Sequence, residues 1–130
     1  MGDGADASLL TRTKAFAVRV VRLVDQVPRS RSSDVIGKQL LSCATSVGAN
    51  YRAARRARST AEFCAKLGIV EEEADESVYW LELLIESGLV QQERLQNLLQ
   101  EANEILAMVV ASIRTARKRN RLTATRKETR

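Results

Sequence analysis

The chain has 130 residues, 45% of them hydrophobic, with one proline, six glycines, two cysteines and a net charge of +5. That length suits one compact domain. No apolar run approaches the ~20 residues of a membrane span, and the acidic start MGDGADASLL lacks the apolar core of a signal peptide, so a cytoplasmic location and no membrane partner are expected.

Alanine, leucine, arginine and glutamate dominate, all good helix formers, and an all-α domain is expected. Residues 1–7 are expected to be disordered. The first helix is predicted from about Ser8 to Gln26, because Phe16, Val20, Leu23 and Val27 recur at three- and four-residue spacing. The Val27-Pro28 step ends it. The second helix is predicted to start near Ser33 or Asp34, both good N-caps. Its apolar stripe is Ile36, Leu40, Cys43, Val47, Tyr51 and Ala54, and beside it runs a small polar stripe of Ser42, Ser46 and Asn50.

The third helix begins at Ser59, where STAE has the form of a capping box with Glu62 reaching back. Phe63, Leu67, Val70, Ala74, Ser77, Leu81 and Leu84 keep a three-four spacing over three heptads, the mark of a packed seam. Gly88 reads as its stop. The fourth helix is predicted from about Gln91 to Lys118, with Leu95, Leu98, Ala102, Ile105, Val109 and Ile113 inward. The domain is expected over residues 8–119, and the basic stretch 120–130 is expected to be a disordered tail. Four amphipathic helices with short links predict an antiparallel up-and-down four-helix bundle.

Cysteine and histidine content narrows the chemistry. Cys43 and Cys64 lack the close spacing of a zinc or redox pair. Counted from a turn near Arg58, they differ in height by roughly 14 Å, too far for a disulfide, so both read as buried thiols. Gly48 comes level with Gly68 or Ile69 across the same hairpin, a place for close backbone approach. The chain has no histidine, the commonest general base and metal ligand. Glu72, Glu73 and Glu76 have the spacing of a di-metal bundle, but such sites need Glu-x-x-His pairs. No enzyme activity, metal, cofactor or small-molecule substrate is expected.

Charge is segregated along the chain. Residues 1–58 hold eleven basic and four acidic side chains, net +7; residues 59–100 hold two and nine, net −7; residues 101–130 hold eight and three, net +5. In an antiparallel bundle the second and fourth helices end at one pole. Arg52, Arg55, Arg56 and Arg58 would meet Arg114, Arg117, Lys118, Arg119 and Arg121 there, and Arg12 and Lys14 would join from the first helix. Basic residues in a last turn complement the helix dipole, and arginines also pair with nearby glutamates. Nine such groups exceed what two helix ends require. Because guanidinium geometry suits phosphate, these nine are the candidate nucleic-acid-binding residues. Tyr51 reads either as core or as a base-stacking ring. On the third helix Ile69, Glu73, Glu76, Trp80 and Leu83 form a second, mixed stripe. Asn50, Glu73, Glu76 and Trp80 are the candidate protein–protein interface, with Trp80 packing on the fourth helix as the alternative.

The segment from Ser46 to Val90, SVGANYRAARRARSTAEFCAKLGIVEEEADESVYWLELLIESGLV, resembles the four-helix-bundle proteins named for open reading frames within 23S rRNA intervening sequences. Gly48, Ala49, Asn50, Arg52, Arg55, Arg56, Arg58, Ser59, Glu62 and Phe63 carry the pattern of small residues, Asn, a basic turn and Ser-x-x-Glu-Phe. Where many relatives have Ile-Ala-Glu-Gly after the Asn, this chain has Tyr51, Arg52, Ala53 and Ala54. The resemblance implies an up-and-down bundle and a homo-oligomer, a pentamer, without a defined activity. In fold and charge the chain is also similar to the accessory bundle proteins of diversity-generating retroelements, basic pentamers associated with nucleic acid and a reverse transcriptase. The expected function is thus a non-enzymatic oligomer binding RNA through a basic pole. The alternative is a protein-interaction scaffold or accessory subunit.

Overall fold

A computed structural model describes residues 3–128, with side chains from residue 8 to 126. It contains four helices: α1 (Asp3–Gln26), α2 (Arg31–Arg55), α3 (Thr60–Glu86) and α4 (Gln92–Glu128). Short links reverse the chain between them. α1 packs on α2 and α4, and α3 packs on α2 and α4. Among the described residues the backbones of the diagonal pairs, α1 with α3 and α2 with α4, do not come close, so the helices form a four-sided, antiparallel bundle.

The caps explain the boundaries. Ser30, not Ser33 or Asp34, is the N-cap of α2. Its hydroxyl accepts from the Ser33 amide and the Ser33 hydroxyl accepts from the Ser30 amide. The reciprocal box can form because Ser33 stands three residues after Ser30. At α3 the Ser59 hydroxyl accepts from the Glu62 amide at 3.1 Å, and the Glu62 carboxylate accepts from the Arg58 amide at 2.9 Å, one residue before the cap. Gly88 ends α3 with φ +76°, a left-handed conformation that costs glycine little; its amide donates to the Ile85 carbonyl.

The predicted stripes make up the core. Phe16, Val20, Leu40, Val47, Tyr51, Leu67, Val70, Leu81, Leu95, Ile105 and Val109 are fully buried. Tyr51 is 0% exposed, so it is a packing residue and its ring is closed to a base. Ser77 makes a polar contact between α2 and α3: its hydroxyl lies 3.3 Å from the Cys43 sulfur and 2.8 Å from the Glu73 carbonyl of its own helix, and its one proton is shared between these two acceptors. Both cysteines are free, Cys43 buried and Cys64 half-buried. Burial pushes the Cys43 thiol pKa up, against the pull of the Ser77 hydroxyl, and Glu73 and Glu76 push it further.

Two expectations about helix flanks are corrected. Gly48 faces α1 rather than α3. A Cβ there would stand 3.4 Å from the Thr13 backbone, whereas Gly68 has nothing near it. Arg12 leaves the basic pole and binds α4. Its Nε and Nη2 donate to the two oxygens of Glu101 at 2.9 and 2.6 Å, and Nη2 also reaches Glu104 at 2.9 Å. The contact ties α1 to α4, the pair with the sparsest packing.

Hydrogen bonding from Arg12 holds the Glu101 carboxyl below the usual carboxylate range, against the opposing effect of burial. A carboxyl depressed on folding stabilises fully above its unfolded pKa and loses that effect as pH falls through its folded value. Glu101→Gln is therefore expected to lower stability by about 1 kcal/mol at neutral pH. The difference from wild type should shrink as pH falls below the unfolded glutamate value of about 4.3, as read by thermal melts at neutral and acid pH.

Of the segments expected to be disordered, residues 1, 2, 129 and 130 lie outside the described part, and the remainder continues α1 and α4 as helix. Arg121–Glu128 contains neither glycine nor proline, and most of its residues are good helix formers. Ala116 is the last buried residue of α4, and every side chain from Arg117 to Arg126 is exposed. At 1.5 Å per residue α4 is about 55 Å long against about 36–40 Å for the others, so its end projects past the bundle.

Candidate nucleic-acid interface

The antiparallel threading brings the end of α2, the α2–α3 link and the last third of α4 to one pole. All nine predicted basic side chains there are exposed, and none has an ion-pair partner among the described residues. They do not form one uniform patch. Arg55, Arg58 and Arg119 surround a crevice of about 310 Å³ with Thr60, Phe63 and Ala116. Arg52, Arg55 and Arg56 line one end of a larger groove between α1 and α2, about 860 Å³, whose walls include Leu10, Lys14, Val18, Gly48 and Ala49. Arg114, Arg117, Lys118 and Arg121 recur at three- and four-residue spacing and so make a stripe along α4. Arg55 belongs to both concavities and joins them.

The helix-dipole explanation accounts for part of this. Arg52 and Arg55 sit in the last turn of α2, where a cation gains roughly 0.3–1 kcal/mol. Arg119 and Arg121 lie well inside α4, since that helix continues to Glu128, and the dipole of a helix end does not explain them.

Cationic surface extends beyond the pole. Arg19, Arg22 and Arg94 line a crevice of about 320 Å³ between α1 and α4, with the Arg94 guanidinium 3.5 Å from the Gln26 side-chain oxygen. The sequence signal was present, because Arg19 and Arg22 stand three residues apart on one face of α1, but their placement beside Arg94 depends on α4.

The candidate interface residues divide between α2 and α3. The Asn50 amide donates to the Ser46 carbonyl within its own helix. Glu73 is half-buried and Glu76 exposed. Burial raises the Glu73 pKa, and Glu76 and Glu72 raise it further. Trp80 is half-buried and packs on the core. It meets Tyr79 edge to face, with ring centroids 4.9 Å apart. Tyr79 and Ile69 are exposed at 56% and 42%, so α3 presents an acidic and aromatic stripe at its surface. Among the described residues no group of His, Cys, Asp and Glu is arranged to hold a metal ion, and no helix is long and apolar enough to cross a membrane.

Residues 6–111 match the family described as 23S rRNA-intervening sequence protein. The chain belongs to that family. Its four-helix architecture agrees with a crystal structure of a protein of unknown function from the S23 ribosomal protein family of Bacteroides thetaiotaomicron VPI-5482. The two are 35% identical, with a TM-score of 0.79 over 85% of this chain and 98% of the other. No curated protein matches. The matched part of this 23S rRNA-intervening sequence protein includes Arg52, Arg55, Arg56 and Arg58 but stops before Arg114, so the basic stripe on α4 lies outside it.

Proposed function

We propose that this chain is a non-enzymatic, homo-oligomeric protein of the cytoplasm that binds RNA through the basic pole. The observation that carries the reading is the exposure of nine cationic side chains at one end of the bundle with no carboxylate partner among the described residues. Unpaired guanidinium groups on a surface favour phosphate, since each phosphate neutralised releases counterions. The family name, which refers to 23S rRNA intervening sequences, is in keeping with an RNA partner. Assembly into a pentamer, implied by the family resemblance, would repeat the pole around an axis and add avidity. No base-reading motif accompanies the charge, so recognition of a specific base sequence is not expected.

The test is fluorescence anisotropy of a labelled 23S rRNA fragment against the protein across a salt series. Four engaged phosphates give a slope of about −3 to −4 in log K against log salt. Affinity indifferent to salt, or no binding at low salt, defeats the reading.

A second reading, an interaction scaffold or accessory subunit, is favoured by the surface of α3. Its exposed acidic and aromatic stripe complements the apolar, basic-ended α1–α2 groove, and the two could hold copies or partners together by charge. Asn50, Glu73, Glu76 and Trp80 would then belong to a contact between chains.

A further inference from the structure

The crevice between the α2–α3 link and α4 differs from the rest of the cationic surface. Elsewhere the arginines stand over solvent or beside aliphatic walls. Here three arginines, from the end of α2, the link and α4, line a concavity whose lining also includes an aromatic residue, Phe63. Phe63 is half-buried: part of it packs against the core and the remainder lines the crevice. The Glu62 carboxylate, next in sequence to Phe63, accepts from the Arg58 backbone amide and forms no ion pair with any of the three arginines.

Phosphate attraction needs no aromatic surface. A duplex offers its backbone and groove edges, and its stacked bases have no free face to lay on a ring. An unpaired nucleotide has one, and proteins that hold single strands combine a cationic track with aromatic platforms. At about 310 Å³ the crevice lies at the small end of ligand sites, a size for one nucleotide rather than a helix. Resting on the nucleic-acid reading above, we infer that this crevice is a subsite for a single unpaired nucleotide, its base against Phe63 and its flanking phosphates on Arg55, Arg58 and Arg119. The partner is then a single-stranded, looped or bulged segment.

Three labelled probes test it at fixed low salt: a 12-nucleotide RNA without secondary structure, the DNA of the same sequence, and the 12-base-pair RNA duplex. Single-stranded RNA is expected to bind more tightly than duplex. Phe63→Leu, which keeps an apolar side chain on the core, should weaken the single strand on the order of tenfold and leave the duplex unchanged. Because Phe63→Leu also touches the core, its helicity and melting are measured alongside. Arg119→Gln, on an exposed side chain, serves as a second variant and should weaken the single strand without altering the fold. Equal loss for RNA and DNA single strands supports a subsite that reads base and phosphate; loss for RNA alone supports one that also contacts the 2′-hydroxyl. Equal affinity for single strand and duplex, or a folded Phe63→Leu protein with wild-type affinity for the single strand, overturns the subsite and leaves the basic pole intact. Failure of all three probes to bind removes the nucleic-acid reading itself.

Discussion

Reversing Arg52, Arg55 and Arg56 to glutamate is expected to reduce affinity for an rRNA fragment by about 100- to 1000-fold at ~0.1 M salt without unfolding the protein. Each phosphate contact adds roughly 0.7–0.9 to the salt slope, which amounts to about fivefold to eightfold in affinity at that concentration. Three lost contacts multiply, and the new negative charges add repulsion. The slope itself should fall by about 2 to 3. All three side chains are exposed and without ion-pair partners among the described residues, so the fold has little stake in them beyond the dipole of α2. Sedimentation of the same variant separates the two readings of function. If the assembly stays intact while RNA binding is lost, the arginines serve nucleic acid. If the assembly falls apart, they serve contacts between chains, as the scaffold reading requires.

The second large effect is on stability. Tyr51→Ala is expected to destabilise the bundle by about 3–5 kcal/mol, measured by urea or thermal unfolding. Tyr51 is among the largest fully buried side chains and sits near the end of α2, one residue before the first arginine of the pole. Its truncation removes packing at the end of the bundle that sets where Arg52, Arg55 and Arg56 project. For a domain of this size that is a large share of the total stability, about 5–15 kcal/mol. Tyr51→Phe keeps the ring and should retain RNA affinity within about twofold, since 0.4 kcal/mol corresponds to a factor of two. A tenfold loss of RNA binding in a folded Tyr51→Phe protein would instead give the hydroxyl a part in recognition that its burial argues against.

The different fates of Tyr51 and Arg12 show what kind of information each level holds. The apolar spacing along each helix belongs to that helix alone, so the sequence by itself determined four amphipathic helices and the identity of their inward faces. Tyr51 could be placed in the core because it falls on the stripe that also holds Val47 and Ala54. The alternating charge balance of +7, −7 and +5 likewise required only short links to predict a basic pole, and the link at Gly88 could be read from the need for a left-handed residue.

Which neighbour each flank meets was decided only in three dimensions. Arg12 and Lys14 are two residues apart, yet one binds Glu101 and Glu104 on α4 while the other lines the groove beside α2. Gly48 lies on the hairpin that suggested α3 but faces Thr13 of α1. The crevice of Arg55, Arg58, Phe63 and Arg119 needs the rotation and register of α4 relative to the α2–α3 link. Those quantities follow from packing the whole core at once, through every side chain that must interdigitate, and no single helix carries them in its own periodicity.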